Sequence, residues 1–342
     1  MYQYIYWPSA KGIYAVLAAL VTVLLMSILH ISVGAKSLVW WDIYQALSHF
    51  DIHNYDHHIV INQRLPRLLV AMGCGAMLGV AGFKAQKLLQ NPLVSSSTLG
   101  VNSGAVFMSL CAMYFFNLTE DKLFLPAFAG ACLAGIFTLS MSRALRRSNI
   151  SRGLHIVLAG SLVSMLFGAL STFLIQLDPL RFADIQDWLL GDIGPSDFND
   201  FKTIFWLALA TIALLMSQGR ALDAMMLGER QALSTGVNVK RVKFVTLTSV
   251  FMLSSLVVST VGPIGFIGLV VPHICKIFVT QTGQIGAWLS MLIGALLLVS
   301  ADVIARTIIA PKVLLVGGVS ASIGSVFFLA LLYFLLRKKT TL

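Results

Sequence analysis

Apolar runs long enough to cross a bilayer follow one another along nearly the whole chain, and no other feature restricts the possible fold so severely. They fall at 13–33, 65–83, 99–116, 123–142, 154–176, 203–217, 244–261, 265–279, 285–304 and 316–336. In hydrocarbon every backbone N–H and C=O needs an internal partner, so runs of this length predict helices. The expected fold class is all-α, a polytopic membrane protein of about ten transmembrane helices in one domain over residues 1–342, with no low-complexity linker. The eighth run is short and interrupted by Pro272. Composition agrees, since 58% of residues are hydrophobic and 11% charged, outside the balance of a soluble chain of this length. The first run is longer than the roughly 7–15 residues of a signal-peptide core and reads as a retained helix.

Charge gives an expected orientation. With the N-terminus inside, the inner segments hold 16 of the 24 basic residues, including Lys84, Lys87, Arg146, Arg147, Arg152, Arg220, Lys243 and Lys276. The outer segments hold 8, among them Arg64, Arg67 and Arg306. The positive-inside rule then puts both termini in the cytoplasm, 34–63 in an outer loop and 219–243 in an inner one. Insertion and the anionic inner leaflet account for the net charge of +10 without nucleic acid.

The outer loop contains HFDIHNYDHH at 49–58, which would have metal-ligand spacing in His49, His53, His57 and His58 if it were helical. It lies away from mid-membrane, where a transported ion would be held, and a solvated loop or surface helix needs no metal; no metal site is assigned. Cys74, Cys111, Cys132 and Cys275 have no paired spacing and read as core residues. No Gly-Lys dipeptide occurs, so the phosphate loop of nucleotide hydrolases is missing and no catalytic residue or cofactor is expected. Asp302 is the only acid within an expected span, placed to pair locally with Arg306 four residues on, and His30 and His273 read as lone packing imidazoles.

Two segments exceed what membrane packing requires. In INQRLPRLLVAMGCGAMLGVAG, 61–82, Arg64 and Arg67 flank Pro66 at the outer mouth of the second helix. Two guanidiniums there suit either capture of carboxylates from a partner or anchoring at the headgroups. Behind them Gly73, Gly75, Gly79 and Gly82 permit close helix approach. In GRALDAMMLGERQALSTGVNVKRVKF, 219–244, short helices with glycine stops suit a protein-docking surface, or a basic loop held on lipid.

The chain resembles the permease subunits of ABC importers for iron-siderophores, haem and vitamin B12. The resemblance is carried in order by RLPRLLVA; QKLLQNPLVSSSTLGVNSGA at 86–105; DWLLGDI at 187–193; LGERQALSTGV at 227–237; VGPIGFIGLVVPHI at 261–274; and GALLLVSADVIAR at 294–306. It implies the type II ABC importer arrangement, a transport subunit of the bacterial inner membrane and not an enzyme, with ATP hydrolysis in separate cytoplasmic ATPase subunits. It implies that Arg64, Arg67 and Arg306 meet acidic residues of a periplasmic substrate-binding protein. Leu227, Gly228, Glu229, Ala232 and Gly236 would belong to the helices that couple to the ATPase, and a second permease chain, identical or not, would complete the pathway. Asn102, Ser103, Ser161, Ser164, Ser320 and Ser322 are candidate pathway lining, or serines that bond across helices.

There are departures from the family. Val313-Leu314-Leu315-Val316-Gly317 and Gly324-Ser325-Val326-Phe327-Phe328 stand where the family has Glu-Leu-Pro-Val-Gly and Gly-Ala-Pro-Phe-Phe, and Lys84 and Lys87 stand where small residues are usual. The resulting expectation is translocation of a ferric siderophore, with haem or cobalamin as alternatives. A gradient-driven transporter or a histidine-loop metalloenzyme are the rivals from other classes.

Overall fold

The computed structural model describes residues 10–34, 36, 38–95, 97–119, 122–145, 154–183, 185–194, 197–279, 284–310 and 312–340. Arg146, Arg147 and Arg152 of the expected inner charge set lie outside them. Among the described residues the fold is helical, without strands. Among the described residues seven helices are long and apolar enough to span a membrane, and three further apolar helices bring the set to the expected ten. The long helices are α1 (Ala10–Ser32), α4 (Leu65–Leu89), α6 (Phe124–Leu145), α7 (Leu154–Leu177), α9 (Asp197–Ser217), α12 (Val239–Val261) and α14 (Ile285–Thr307). The other three are α5 (Val101–Phe116), α13 (Ile267–Phe278) and α15 (Val316–Thr340). Between them lie α2 (Trp40–Ser48), α3 (Tyr55–His58), α8 (Gln186–Leu189), α10 (Gly219–Met226) and α11 (Glu229–Ser234).

Helix α4 is the centre of the bundle, packed on α14, α12, α13 and α9. Glycine permits this. A Cβ at Gly75 would sit 2.4 Å from the Gly294 carbonyl oxygen, one at Gly79 2.2 Å from that of Ser290, and one at Gly82 2.0 Å from that of Gly268. Helices α14 and α13 therefore lie backbone to backbone against α4, as small residues allow in lipid, where no hydrophobic force drives helices together. Gly73 instead admits the Phe201 ring of α9. Helix α1 is peripheral: it leans on α14, and only 11% of its apolar window is buried, against 78% for the span that includes α4.

The second span is longer at both ends than the expected 65–83. Helix α4 begins at Leu65 with Pro66 in its first turn, where the sequence predicts it, but the helical run reaches back to Tyr55, and α3 enters α4 through a π-helical turn, Ile59–Arg64. Leu65 N–H bonds to Val60 O, five residues back. A widened turn is one way for a helix to take in a proline, whose ring clashes with a preceding carbonyl and which donates nothing. At the other end α4 continues six residues past Phe83, to Leu89, and carries Lys84, Gln86 and Lys87 into the protein. The interrupted eighth span is observed as the twelve-residue α13 with Pro272 inside it.

Candidate functional site

The segment before α4 shows what becomes of the histidines. The chain leaves the helix between Ser48 and Tyr55, so HFDIHNYDHH is not one helix and its four-residue spacing does not align side chains on one face. His57 is buried and its Nδ1 accepts from Asp51 N–H at 3.0 Å, while His58 Nδ1 accepts from Asn62 at 2.8 Å and its Nε2 donates to Ile52 O at 3.0 Å. These two imidazoles fasten the loop through its own groups. Among the described residues no three His, Cys, Asp or Glu side chains gather as a metal site.

The arginines at the start of α4 point inward. Arg64 is buried and donates to the carbonyls of Ile31 at 2.5 Å, Ser32 at 3.0 Å and Lys36, closing the end of α1. Arg67 lays Nε and Nη2 on Asp302 Oδ1 at 2.9 and 2.7 Å, and its Nη2 also lies 3.4 Å from Asp192. Arg306, a turn beyond Asp302 on α14, approaches its Oδ2 at 3.2 Å and donates to His30 O at 3.1 Å. His30 Nε2 lies 2.7 Å from Asp302 Oδ2, so the ring proton of that bond belongs to Nε2. Asp302 is therefore not a local partner of Arg306 alone, and His30 is not a lone imidazole. One fully buried carboxylate binds α1, α4 and α14 together. With Asp192, two carboxylates balance two guanidiniums, which is what a low-dielectric site requires.

The opposite end of α4 meets the 219–243 segment, which forms two short helices as expected, while its last five residues already belong to α12, which starts at Val239 and not at the expected 244. Gly228 at φ 119° turns the chain between α10 and α11. At the end of α11, Gly236 at φ 82° donates to Leu233 O and Val237 N–H to Ala232 O, both at 3.0 Å, the Schellman pattern that left-handed glycine makes possible. Asn238 then caps α12 by accepting from Arg241 N–H at 3.0 Å. Ala232 is buried, whereas Leu227 and Leu233 are exposed at 73% and 59%, a bare apolar surface on a well-fixed unit. Glu229 pairs with Lys243 of α12, Lys87 of α4 pairs with Asp223 of α10, and Gln90 donates to Met225 O at 3.3 Å. The link from α4 was missed in the sequence, although Lys87 stood out there as unusual for its place.

The pathway candidates separate by exposure. Ser161 and Ser322 are exposed, Asn102, Ser103 and Ser164 are half-buried, and Ser320 lies inside the chain. Ser103, Ser161, Ser320 and Ser322 each bond a carbonyl three or four residues back in their own chain, while Asn102 reaches Ile264 O at 3.4 Å.

Comparison with known proteins places this architecture. A probable siderophore transport system permease protein of Bacillus subtilis is 31% identical over 318 residues, 92% of this chain and 95% of that protein. The vitamin B12 import system permease protein of Vibrio vulnificus is 31% identical over 319 residues, 92% of each. A solved metal-chelate type ABC transporter in an inward-facing conformation superposes with a TM-score of 0.77 at 25% identity, covering 94% of this chain and 99% of that one. The sequence model of the FecCD transport family matches residues 20–334, and with relatives that similar over nearly their full lengths the chain belongs to the FecCD transport family.

Proposed function

We propose that this chain is the membrane permease of an ATP-binding cassette importer that passes a ferric siderophore through the bacterial inner membrane, with both termini in the cytoplasm. The observation that carries the reading is near full-length similarity to a siderophore permease within the family. The bare Leu227 and Leu233 surface, fastened to α4 and α12 by ion pairs, supports ATPase docking on α10 and α11, with Gly228, Glu229, Ala232 and Gly236 setting its shape. A substrate-binding protein would dock at the other end, around Arg64, Arg67 and Arg306. That role is what the family resemblance implies; in this chain the three guanidiniums turn inward, onto the carbonyls that close α1 and onto Asp302. A second permease chain, identical or not, would complete a pathway whose wall draws on Asn102, Ser103, Ser161, Ser164 and Ser322, with Ser320 behind them. Cobalamin is the second reading, favoured by the vitamin B12 relative.

The test is uptake of labelled iron, offered as several ferric siderophores beside labelled haem and cobalamin, in cells lacking only this chain and in cells with it restored. Restored ATP-dependent uptake of one ferric chelate is expected. Restoration for cobalamin or haem alone would replace the substrate, and uptake that survives loss of the ATPase would overturn the importer class.

A further inference from the structure

The segment before α4 carries the largest group of exposed aromatic side chains that neither docking nor coupling uses. Helix α2 has three faces. At about 100° per residue, Ile43 and Ala46 share one sector, Asp42 and Gln45 a second, and Trp40, Trp41, Tyr44 and Leu47 a third, about 120° wide. The first sector is buried against Leu38, Ile59 and Val60. The second is half-buried and polar. The third is bare, with exposures of 59%, 60%, 51% and 55%, and farther along the chain Phe50, Ile52 and Tyr55 are exposed at 47%, 68% and 71%.

Four large side chains bared on one face of a nine-residue helix are more than a water-facing surface carries singly. A helix with separate protein, water and apolar faces fits a boundary where all three media meet. The fold holds α2 at such a place. Its chain follows directly from α1, the peripheral span, whose Leu17, Val21, Leu24 and Leu25 are exposed at 52–60%. Leu38 N–H bonds to Ser32 O at 3.0 Å, and the Arg64 guanidinium fixes the carbonyls of Ile31, Ser32 and Lys36, so α2 cannot swing free of the end of that span. Tryptophan and tyrosine are the side chains that settle at the headgroup level.

We infer that α2 is an interfacial helix, seated in lipid at the boundary of headgroups and acyl chains through Trp40, Trp41, Tyr44 and Leu47, which anchors the α1 end of the bundle. The inference needs only that α1 and α4 cross the membrane, and it holds for either leaflet.

The test places a nitroxide by Tyr44→Cys, Leu47→Cys, Asp42→Cys or Gln45→Cys, one at a time, in the chain with its four native cysteines replaced. The full importer is reconstituted in vesicles of phosphatidylethanolamine and phosphatidylglycerol. Labels at 44 and 47 should relax with oxygen and resist a water-soluble nickel complex, and labels at 42 and 45 should do the reverse. Nickel access at 44 and 47 would overturn the inference, as would shielding from both reagents, which marks a protein contact, or shielding that arises only when a binding protein is added. A second arm keeps the native cysteines: lipids brominated near the headgroup should quench the unsubstituted protein more than its Trp40→Phe, Trp41→Phe variant, and equal quenching would count against lipid contact.

Discussion

Asp302 decides more than any other single residue. It accepts from Arg67 and His30 and faces Arg306, and it is fully buried, so removing its charge leaves two guanidiniums with only Asp192, at the edge of the site, to balance them. Breaking one side of a buried ion pair costs about 3–5 kcal/mol, well above the worth of an exposed pair. Asp302→Asn should therefore lower the melting temperature of the purified permease markedly. Adding Arg67→Met should restore part of the loss, because the two residues share one interaction and their effects are not additive. A thermal-shift series on the two single variants and the double variant measures this; additive losses would show that the cluster does not act as a unit. This site was only half legible in the sequence. The Asp302 and Arg306 spacing on one helix could be read, but His30 lies 272 residues away and Arg67 235, and helical periodicity carries no information about which face of one span meets which face of another. The inward turn of Arg64 was hidden for the same reason.

At the level of elements, what was visible is what local chemistry writes. The apolar runs foretold the spans, and the glycines at 73, 75, 79 and 82 foretold close approach, because bilayer thickness and the missing Cβ act on the residues themselves. The partners of those glycines were not written there. Gly79 meets the Ser290 carbonyl and Gly75 that of Gly294, so the α4 and α14 contact is backbone on backbone. Gly79→Val would put a side chain where no flexible group can yield. Overpacking of a tight core costs about 1–3 kcal/mol, and here a helix pair must separate to relieve it. The expected outcome is poor recovery of folded protein and a lowered melting temperature, read by size-exclusion chromatography in detergent. Gly168→Val, at a position where an added Cβ meets nothing within 4 Å, should leave both unchanged. Equal behaviour of the two variants would sink the assignment of α4 and α14 as the close-packed seam.

For the whole molecule, with the ATPase proposed to dock on α10 and α11, the question is how movement there would reach the spans. Helix α4 touches α14, α12, α13 and α9, so an element fastened to its end can move the centre of the bundle. The fastening is the mostly buried Lys87 ammonium on Asp223, beside the Gln90 bond to Met225 O. A rigid link of this kind converts displacement of a short surface helix into displacement of a long span, as packed elements with two arrangements do. Lys87→Asp should leave ATP hydrolysis by the assembled importer largely intact and reduce uptake per ATP by roughly fivefold to a hundredfold, the range of a coupling free energy of about 1–3 kcal/mol. Pairing it with Asp223→Lys restores the opposite charges in reversed order and should return most of that ratio. Measuring hydrolysis and uptake on the same proteoliposomes separates coupling from folding, since a merely destabilised protein loses both together. If the reversed pair stays as uncoupled as Lys87→Asp alone, force must reach the spans by another route, and Glu229 with Lys243, which fastens α11 to α12, is the next link to reverse.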